Sequence, residues 1–229
     1  VPSCTSELMT GLAKLAKEYD VPVQSHLSEN HGEIDWVASL HPESSNYTDV
    51  YYEHHLMGTV PTVMAHCIHL SDVEMDRMAE TQTMVSHCPY SNVNLSSGIA
   101  PIRKLIERNI PIGLGSDISG GHIVSMAKVL TEAIGLSKMK WAEVDPNYAP
   151  LTLSEAFYMA TKGGGQFFGH VGSFEKGYEL DALIIDDTSL FDPNERSLEE
   201  RLERWLYVGD DRHIIERYVA GRVVPSPKG

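Results

Sequence analysis

The chain has 229 residues, a formal net charge of −14 and an apolar fraction of 42%, which is enough for a buried core. The acidic balance predicts no nucleic-acid partner and no anionic membrane partner, because both favour basic surfaces, and the chain has no run of about 18 apolar residues that would predict a transmembrane helix. Its three cysteines form neither a C-x-x-C pair nor an even framework, so we expect reduced thiols and a cytoplasmic protein.

Strand and helix patterns alternate along most of the chain. The first helix carries apolar residues at helical spacing, namely Leu8, Leu12, Leu15, Ala16 and Tyr19. Residues 41–61 form an insertion whose role the sequence leaves open. The predicted strands cover residues 21–26, 62–66, 83–88 and 110–116, and the predicted helices cover residues 5–19, 32–40, 71–80, 101–109, 122–140 and 152–163.

The pattern changes in the last quarter of the chain. Residues 182–185 and 217–224 resemble strands, and a polar, charged stretch from 186 to 204 separates them. They predict a separate small β element. The four preceding strand–helix units predict an α/β fold with a parallel sheet and right-handed crossovers. Four strands make half of a (β/α)₈ barrel, which typically takes about 250 residues.

Three of the predicted strands stop at a residue that can bind a metal. These residues are His26, His66 and Asp117. Parallel strands that end at one face bring such side chains together, and two imidazoles with a carboxylate suit zinc or iron. Alternation places Thr62, Met64 and His66 on one face of their strand. Alternatively, His66 is a satisfied core histidine and Asp117 caps the helix that follows it.

Glu29 and His87 are further candidates near the same strand ends. Glu29 follows His26 by three residues and could move protons between a water molecule and a substrate nitrogen, or it could simply favour the dipole of the next helix. His87 ends the third strand, where it could line a pocket or orient a ligand. His69 is expected at the surface or behind the ligands.

Several segments resemble the amidohydrolase superfamily and, within it, the guanine deaminases. Gln24–Asn30 resembles the S-H-x-S-E-N segment of the family, and Ser86–Asn92 with Leu95–Gly98 resembles its H-C-P-x-S-N and L-S-S-G segments. Gly115–Gly121 resembles G-[ST]-D-x-x-G-G, and Tyr207–Arg212 resembles a run found in guanine deaminases.

The resemblance implies a role for each matching residue. His26, His66 and Asp117 would bind zinc, with iron possible, and Asp117 would also accept a proton. Glu29 would carry protons. Both Glu29 and His87 would contact the substrate. The implied reaction is hydrolytic deamination of guanine to xanthine and ammonia, a step of purine catabolism. The resemblance also implies a homodimer.

The family's H-x-H pair, which completes the metal site, has no match in this chain. The resemblance therefore implies that residues 1–170 form the second half of a TIM-type barrel and that residues 171–229 contribute strands to a small β-sandwich. We interpret the chain as the C-terminal half of a guanine deaminase, whose activity requires the complete enzyme. The alternatives are an amidohydrolase acting on another amino-heterocycle and a non-catalytic truncated product.

Overall fold

A computed structural model describes residues 1–225, so the last four residues of the predicted C-terminal segment 171–229 lie outside the described part. A π-helical turn at Met159–Gly163 directly follows the helix Leu153–Tyr158. The helices are α1 Ser6–Tyr19, α2 His31–Leu40, α3 Tyr47–Glu53, α4 Asp72–Glu80, α5 Pro89–Asn94, α6 Ile102–Glu107, α7 Met126–Glu143, α8 Leu153–Tyr158 and α9 Leu198–Val208. The strands are β1 Val23–Leu27, β2 Thr62–His66, β3 Met84–His87, β4 Ile112–Leu114, β5 Ala182–Ile185, β6 Ile214–Val219 and β7 Arg222–Val223.

The first four strands form a parallel sheet in the order β1-β2-β3-β4, with helices between successive strands. This order confirms the predicted α/β half barrel, because each crossover returns the chain to the next position of one sheet. All four strands run in one direction, and their carboxyl ends therefore meet at one edge. The core lies between this sheet and the helices and includes Met64, Met75, Met78, Val85 and Leu105.

The remaining strands form a separate antiparallel sheet in the order β5-β6-β7. The stretch 186–204, predicted to be polar, contains the beginning of α9. A capping box of Ser197 and Glu200 starts this helix, and Trp205 and Leu206 are buried on its single apolar side. The Lys128 ammonium donates to the carbonyl oxygens of Leu206 and Tyr207, so the run Tyr207–Arg212 begins where α9 is tied to α7.

The periodic apolar residues of α1 do not all face the core. Leu8, Leu12 and Leu15 form a leucine stripe and are 48%, 43% and 51% exposed, whereas the helix buries Met9, Ala13 and Ala16. Periodicity does not say which surface covers such a stripe.

The insertion at residues 41–61 contains helix α3, which the sequence did not predict. Asn46 caps this helix, and Tyr47 and Tyr51 are both 3% exposed. The Tyr51 hydroxyl donates to the backbone carbonyl of His26 at 2.9 Å and lies 2.6 Å from the Ser25 hydroxyl. The insertion thus supports the end of β1. Within residues 1–225, no helix is both long and apolar enough to cross a membrane.

Candidate active site

Four of the predicted site residues meet at the carboxyl ends of β1, β2 and β4. The rings of His26 and His66 stack with centroids 5.2 Å apart. Nε2 of His66 lies 3.8 Å from Oε2 of Glu29 and 3.9 Å from Oδ2 of Asp117. His66 is 1% exposed and is therefore the buried centre of the group, while the side chains of Glu29 and Asp117 are 19% and 29% exposed.

His66 reaches this group although its strand partners face the other way. Thr62 and Met64 are buried on the side of the helices, and the inward face of β2 is formed by Val63 and Ala65. His66 has φ +69°, in the left-handed region, so it leaves strand geometry. Alternation beyond a strand end therefore does not determine where the side chain points. The shared face predicted for these residues does not extend to His66.

Left-handed backbone is concentrated at the strand ends of the site. Ser28, Cys67 and Asp117 have φ values of +48°, +51° and +44°. Non-glycine residues in this region cost free energy and cluster at functional sites. The chain turns sharply at each of these points, which brings neighbouring side chains to the edge of the sheet.

The environment of His66 fits a cation. Nδ1 of His66 is 2.9 Å from Oδ1 of Asn92, an acceptor, so Nδ1 carries the proton and Nε2 presents a lone pair. This lone pair faces the carboxylates of Glu29 and Asp117. A metal between such groups removes their repulsion, and two atoms that each bind zinc at about 2.0–2.2 Å can lie up to about 4.4 Å apart.

The donor set is suited to zinc or iron, because it combines imidazole nitrogens with a carboxylate. Among residues 1–225, however, no group of three or more His, Cys, Asp or Glu side chains is arranged as a complete metal-binding cluster. The ring of His66 stacks on that of His26 and its Nε2 lies 3.9 Å from Asp117, but these three side chains do not form such a group, and their assignment as ligands stays a prediction.

Glu29 lies outside the helix that it could have capped. Asn30 is the N-cap of α2, and its side chain accepts from the backbone of Glu33, the acidic residue of the first turn. The carboxylate of Glu29 instead points to His66, and its Oε1 accepts a hydrogen bond from the Ser97 hydroxyl at 2.9 Å. The position suits a proton carrier better than a helix-start residue.

Asp117 does not cap a helix either. Helix α7 begins at Met126 with Ser125 as its N-cap, later than predicted. A Cβ on Gly120 would lie 2.6 Å from Oδ2 of Asp117, so only glycine fits beside the carboxylate. A Cβ on Gly115 would lie 2.5 Å from the Ser86 hydroxyl oxygen. The glycines around Asp117 therefore allow a close approach of backbone and side chains.

His87 is buried and does not line the cleft. It is 2% exposed, and no hydrogen-bond partner is found for its Nδ1. Burial, reinforced by the charge that His66 could carry, lowers the pKa of His87 to about 3, so its imidazole is neutral. Its position supports the residues around His66 rather than a direct contact with substrate, and its predicted role in substrate binding stays a prediction.

The inner face of the half barrel lines an open cleft of about 1260 Å³. Val63, Ala65, Gly113 and Gly115 give it a floor of small side chains, and Asp117 lies at its upper end. The π-helical turn also lines it, because Gly164 allows the turn to approach Gly113. His26 opens into the same space. The cleft is therefore the uncovered inner face of the half barrel, and His26 and Asp117 are the site residues that reach it.

Two residues of the site carried no sequence-based assignment. Asn92 orients His66, and Ser97 contacts Glu29. Both stand in segments that the family resemblance had already identified, but their partners lie 26 and 68 residues away in the chain. No local spacing reveals such contacts, so only the motifs themselves could have indicated these positions.

Comparison with known proteins agrees with this geometry. The sequence profile of the amidohydrolase family matches residues 1–224. A guanine deaminase from Dictyostelium discoideum is 44% identical over 230 residues, which cover 97% of this chain and 51% of that protein. The chain thus spans about half the length of the curated relatives it matches.

Solved structures show the same relationship. The crystal structure of a guanine deaminase from C. acetobutylicum, with bound guanine in the active site, is 53% identical and superposes with a TM-score of 0.95 over 98% of this chain and 53% of that one. An adenosine deaminase from Xanthomonas campestris with bound zinc, at 22% identity and a TM-score of 0.82, covers 96% of this chain and 48% of its own and shares the fold.

Proposed function

The chain belongs to the amidohydrolase family, and we propose that it supplies part of the catalytic site of a metal-dependent guanine deaminase. The observation that carries this proposal is the position of His66 Nε2 between the carboxylates of Glu29 and Asp117, in a chain 53% identical to an enzyme with guanine in its active site. The whole protein would convert guanine and water to xanthine and ammonia, a step of purine catabolism.

His26, His66 and Asp117 would hold the metal, zinc in the first instance and iron as the alternative. A bound divalent metal lowers the pKa of water from 15.7 to roughly 7. The Asn92 amide fixes the ring of His66, so that Nε2 is available to the metal.

The two carboxylates divide the proton transfers. Asp117 lies at the top of the cleft and would accept a proton from the attacking water. Glu29 would deliver protons to the ring nitrogen of guanine and then to the departing amine, since hydrolysis needs both nitrogens protonated in turn. The purine ring would bind at the carboxyl ends of the strands, within reach of Glu29, with His87 behind His66.

The three cysteines support a cytoplasmic location, because Cys4, Cys67 and Cys88 are all free. The family resemblance supports a homodimer of the complete protein, which its mass in solution would test. Nothing in the acidic charge favours a nucleic-acid partner.

The experiment is turnover by the full-length protein that contains this chain, loaded separately with zinc and with iron. Guanine, adenine and 5′-deoxyadenosine are offered in parallel, and ammonia and the product base are quantified. The last substrate is included because a 5′-deoxyadenosine deaminase from Methanococcus maripaludis is 33% identical over 80% of this chain and 43% of that protein. We expect equal amounts of xanthine and ammonia from guanine. Turnover of 5′-deoxyadenosine alone would favour the other amino-heterocycle, and no turnover would favour a non-catalytic protein.

A further inference from the structure

The backbone of Glu29 is fixed from one side by the partly buried pair of Glu33 and Tyr47. Its N–H donates to Oε2 of Glu33 at 2.9 Å, and the other oxygen of Glu33 accepts from the Tyr47 hydroxyl at 2.8 Å. Ile68 and His69 also donate their N–H groups to the carbonyl of Ser28, the preceding residue, at 3.1 Å. Only the side-chain torsions of Glu29 therefore remain free.

Ser97 removes much of this freedom. Its hydroxyl donates to Oε1 of Glu29 at 2.9 Å, and Ser97 is 6% exposed. The other oxygen, Oε2, lies 3.8 Å from Nε2 of His66. The two carboxylate oxygens are therefore not equivalent, since one is occupied by a protein donor and the other faces the centre of the site.

His69 holds Ser97 in its place. Nε2 of His69 donates to the backbone carbonyl of Ser97 at 2.7 Å. The ring lies 4.0 Å from that of His31, centroid to centroid. A Cβ on Gly98, which has φ +129°, would lie 3.2 Å from Cε1 of His69, so the glycine both adopts the required backbone and leaves room for the imidazole.

We propose that Ser97 is a positioning residue for Glu29, whose hydroxyl holds Oε1 so that Oε2 is the oxygen that carries the proton, and that His69 fixes Ser97. This inference rests on the proposed function, because it assigns Glu29 a proton to move. Ser97 touches neither the metal-binding atoms nor the cleft, so it acts through Glu29. Its removal should slow the chemical step without weakening substrate or metal binding.

The test is a double-mutant cycle in the metal-loaded, full-length protein. Ser97→Ala should lower kcat on guanine about 10-fold, the effect of one hydrogen bond to a charged group, with KM and metal content unchanged. Ser97→Thr, which keeps the hydroxyl, should restore most of the rate. Ser96→Ala, in the exposed preceding serine, is the matched control and should behave as the wild type. In the Glu29→Gln background, Ser97→Ala should cause no further loss.

Each other outcome overturns the inference. An unchanged kcat for Ser97→Ala, or an equal loss in the Glu29→Gln background, would show that Ser97 does not act through Glu29. If Ser97→Ala does not fold, Ser97→Cys takes its place with the same expectations. A wild-type protein inactive on guanine defeats the proposed function instead, and a crystal structure of the Ser97 variant then decides the positioning role: Glu29 should leave the position facing His66, and an unmoved carboxylate refutes the role.

Discussion

The carboxyl ends of the parallel strands and the outer side of α1 are organised in opposite ways. At the strand ends, polar side chains are buried and joined by specific bonds, and His66 alone has Asn92, Glu29 and Asp117 around it. On α1, by contrast, Leu8, Leu12 and Leu15 remain about half exposed with the apolar side outward. One region contains polar groups that contact one another, although Nδ1 of His87 has no partner, and the other contains apolar groups that remain exposed.

The difference teaches that the side chains of the candidate site contact one another within this chain, whereas the leucines of α1 remain exposed. The contacts described for Glu29, His66 and Asp117 come from within the described residues. The leucine stripe does not contribute to these contacts. Substitutions in the two regions should therefore affect different measurements, catalysis or stability, and the following expectations test that separation.

The largest effect is expected for Glu29→Gln. The amide keeps the size of the side chain but cannot accept a proton, and general acid–base groups contribute about 10²–10⁴-fold to the rate. We expect a kcat loss of that order on guanine in the full-length protein, with metal content unchanged by stoichiometry. Asp117→Asn is the comparison variant and should lose metal as well as rate. Normal turnover by Glu29→Gln would remove Glu29 from the chemistry.

A smaller effect separates the two sides of α1. Met9 is 1% exposed, so Met9→Ala should lower the free energy of unfolding by about 2–5 kcal/mol. Leu12→Ala on the exposed stripe should change it by less than about 0.5 kcal/mol. Denaturant unfolding of this chain measures both. Equal losses would mean that the stripe is covered in solution, and the contrast between the regions would fail.

Asn92 tests how far the site depends on its supporting bonds. Asn92→Ala removes the acceptor that fixes the ring of His66. Loss of such a supporting contact typically weakens metal binding by about 10–100-fold, and we expect this loss in a zinc competition titration of the full-length protein. Asn147→Ala serves as the control, since Asn147 is exposed and lies in the loop after α7. Equal zinc affinity of the Asn92 variant and the wild type would contradict the assigned orientation of His66.

The smallest effect concerns an ion pair distant from both regions. Arg103 binds Glu155 through two hydrogen bonds of 2.7 and 3.0 Å, which lower the pKa of Glu155 from 4.5 to about 2. A depressed folded-state pKa stabilises the protein above pH 4.5, and this contribution disappears as the pH falls from 4.5 towards 2. Glu155→Gln should therefore show a shallower acid dependence of stability, by about 1 kcal/mol. Identical acid unfolding curves would show that the pair contributes nothing.

The parts of the fold that follow from local pattern were predictable from the sequence. The alternation of strands and helices gave the four parallel strands, and strands that stop at His26, His66 and Asp117 indicated where the site lies. The observed element boundaries differ from the predicted ones where the backbone turns. Because of the turn around Asp117, β4 ends at Leu114 and α7 begins only at Met126.

Features that depend on tertiary partners were not predictable. Helix α3 is short and is stabilised by burial of its tyrosines, and α9 buries only Trp205 and Leu206. The leucine stripe of α1 shows that periodicity defines a face but not its partner. Asn92 and Ser97 escaped assignment for the same reason, because each acts on a residue far away in the chain.

The left-handed residues at the strand ends have a consequence for engineering this protein. Each costs about 1–3 kcal/mol of conformational free energy, and Ser28, Cys67 and Asp117 lie within or beside the site. Glycine adopts this backbone conformation without the steric cost, and replacing Ser28 or Cys67 by glycine leaves every proposed ligand intact. At Asp117 the same substitution would relax the backbone but delete the carboxylate. A gain in thermal stability at this position would therefore come with a loss of turnover.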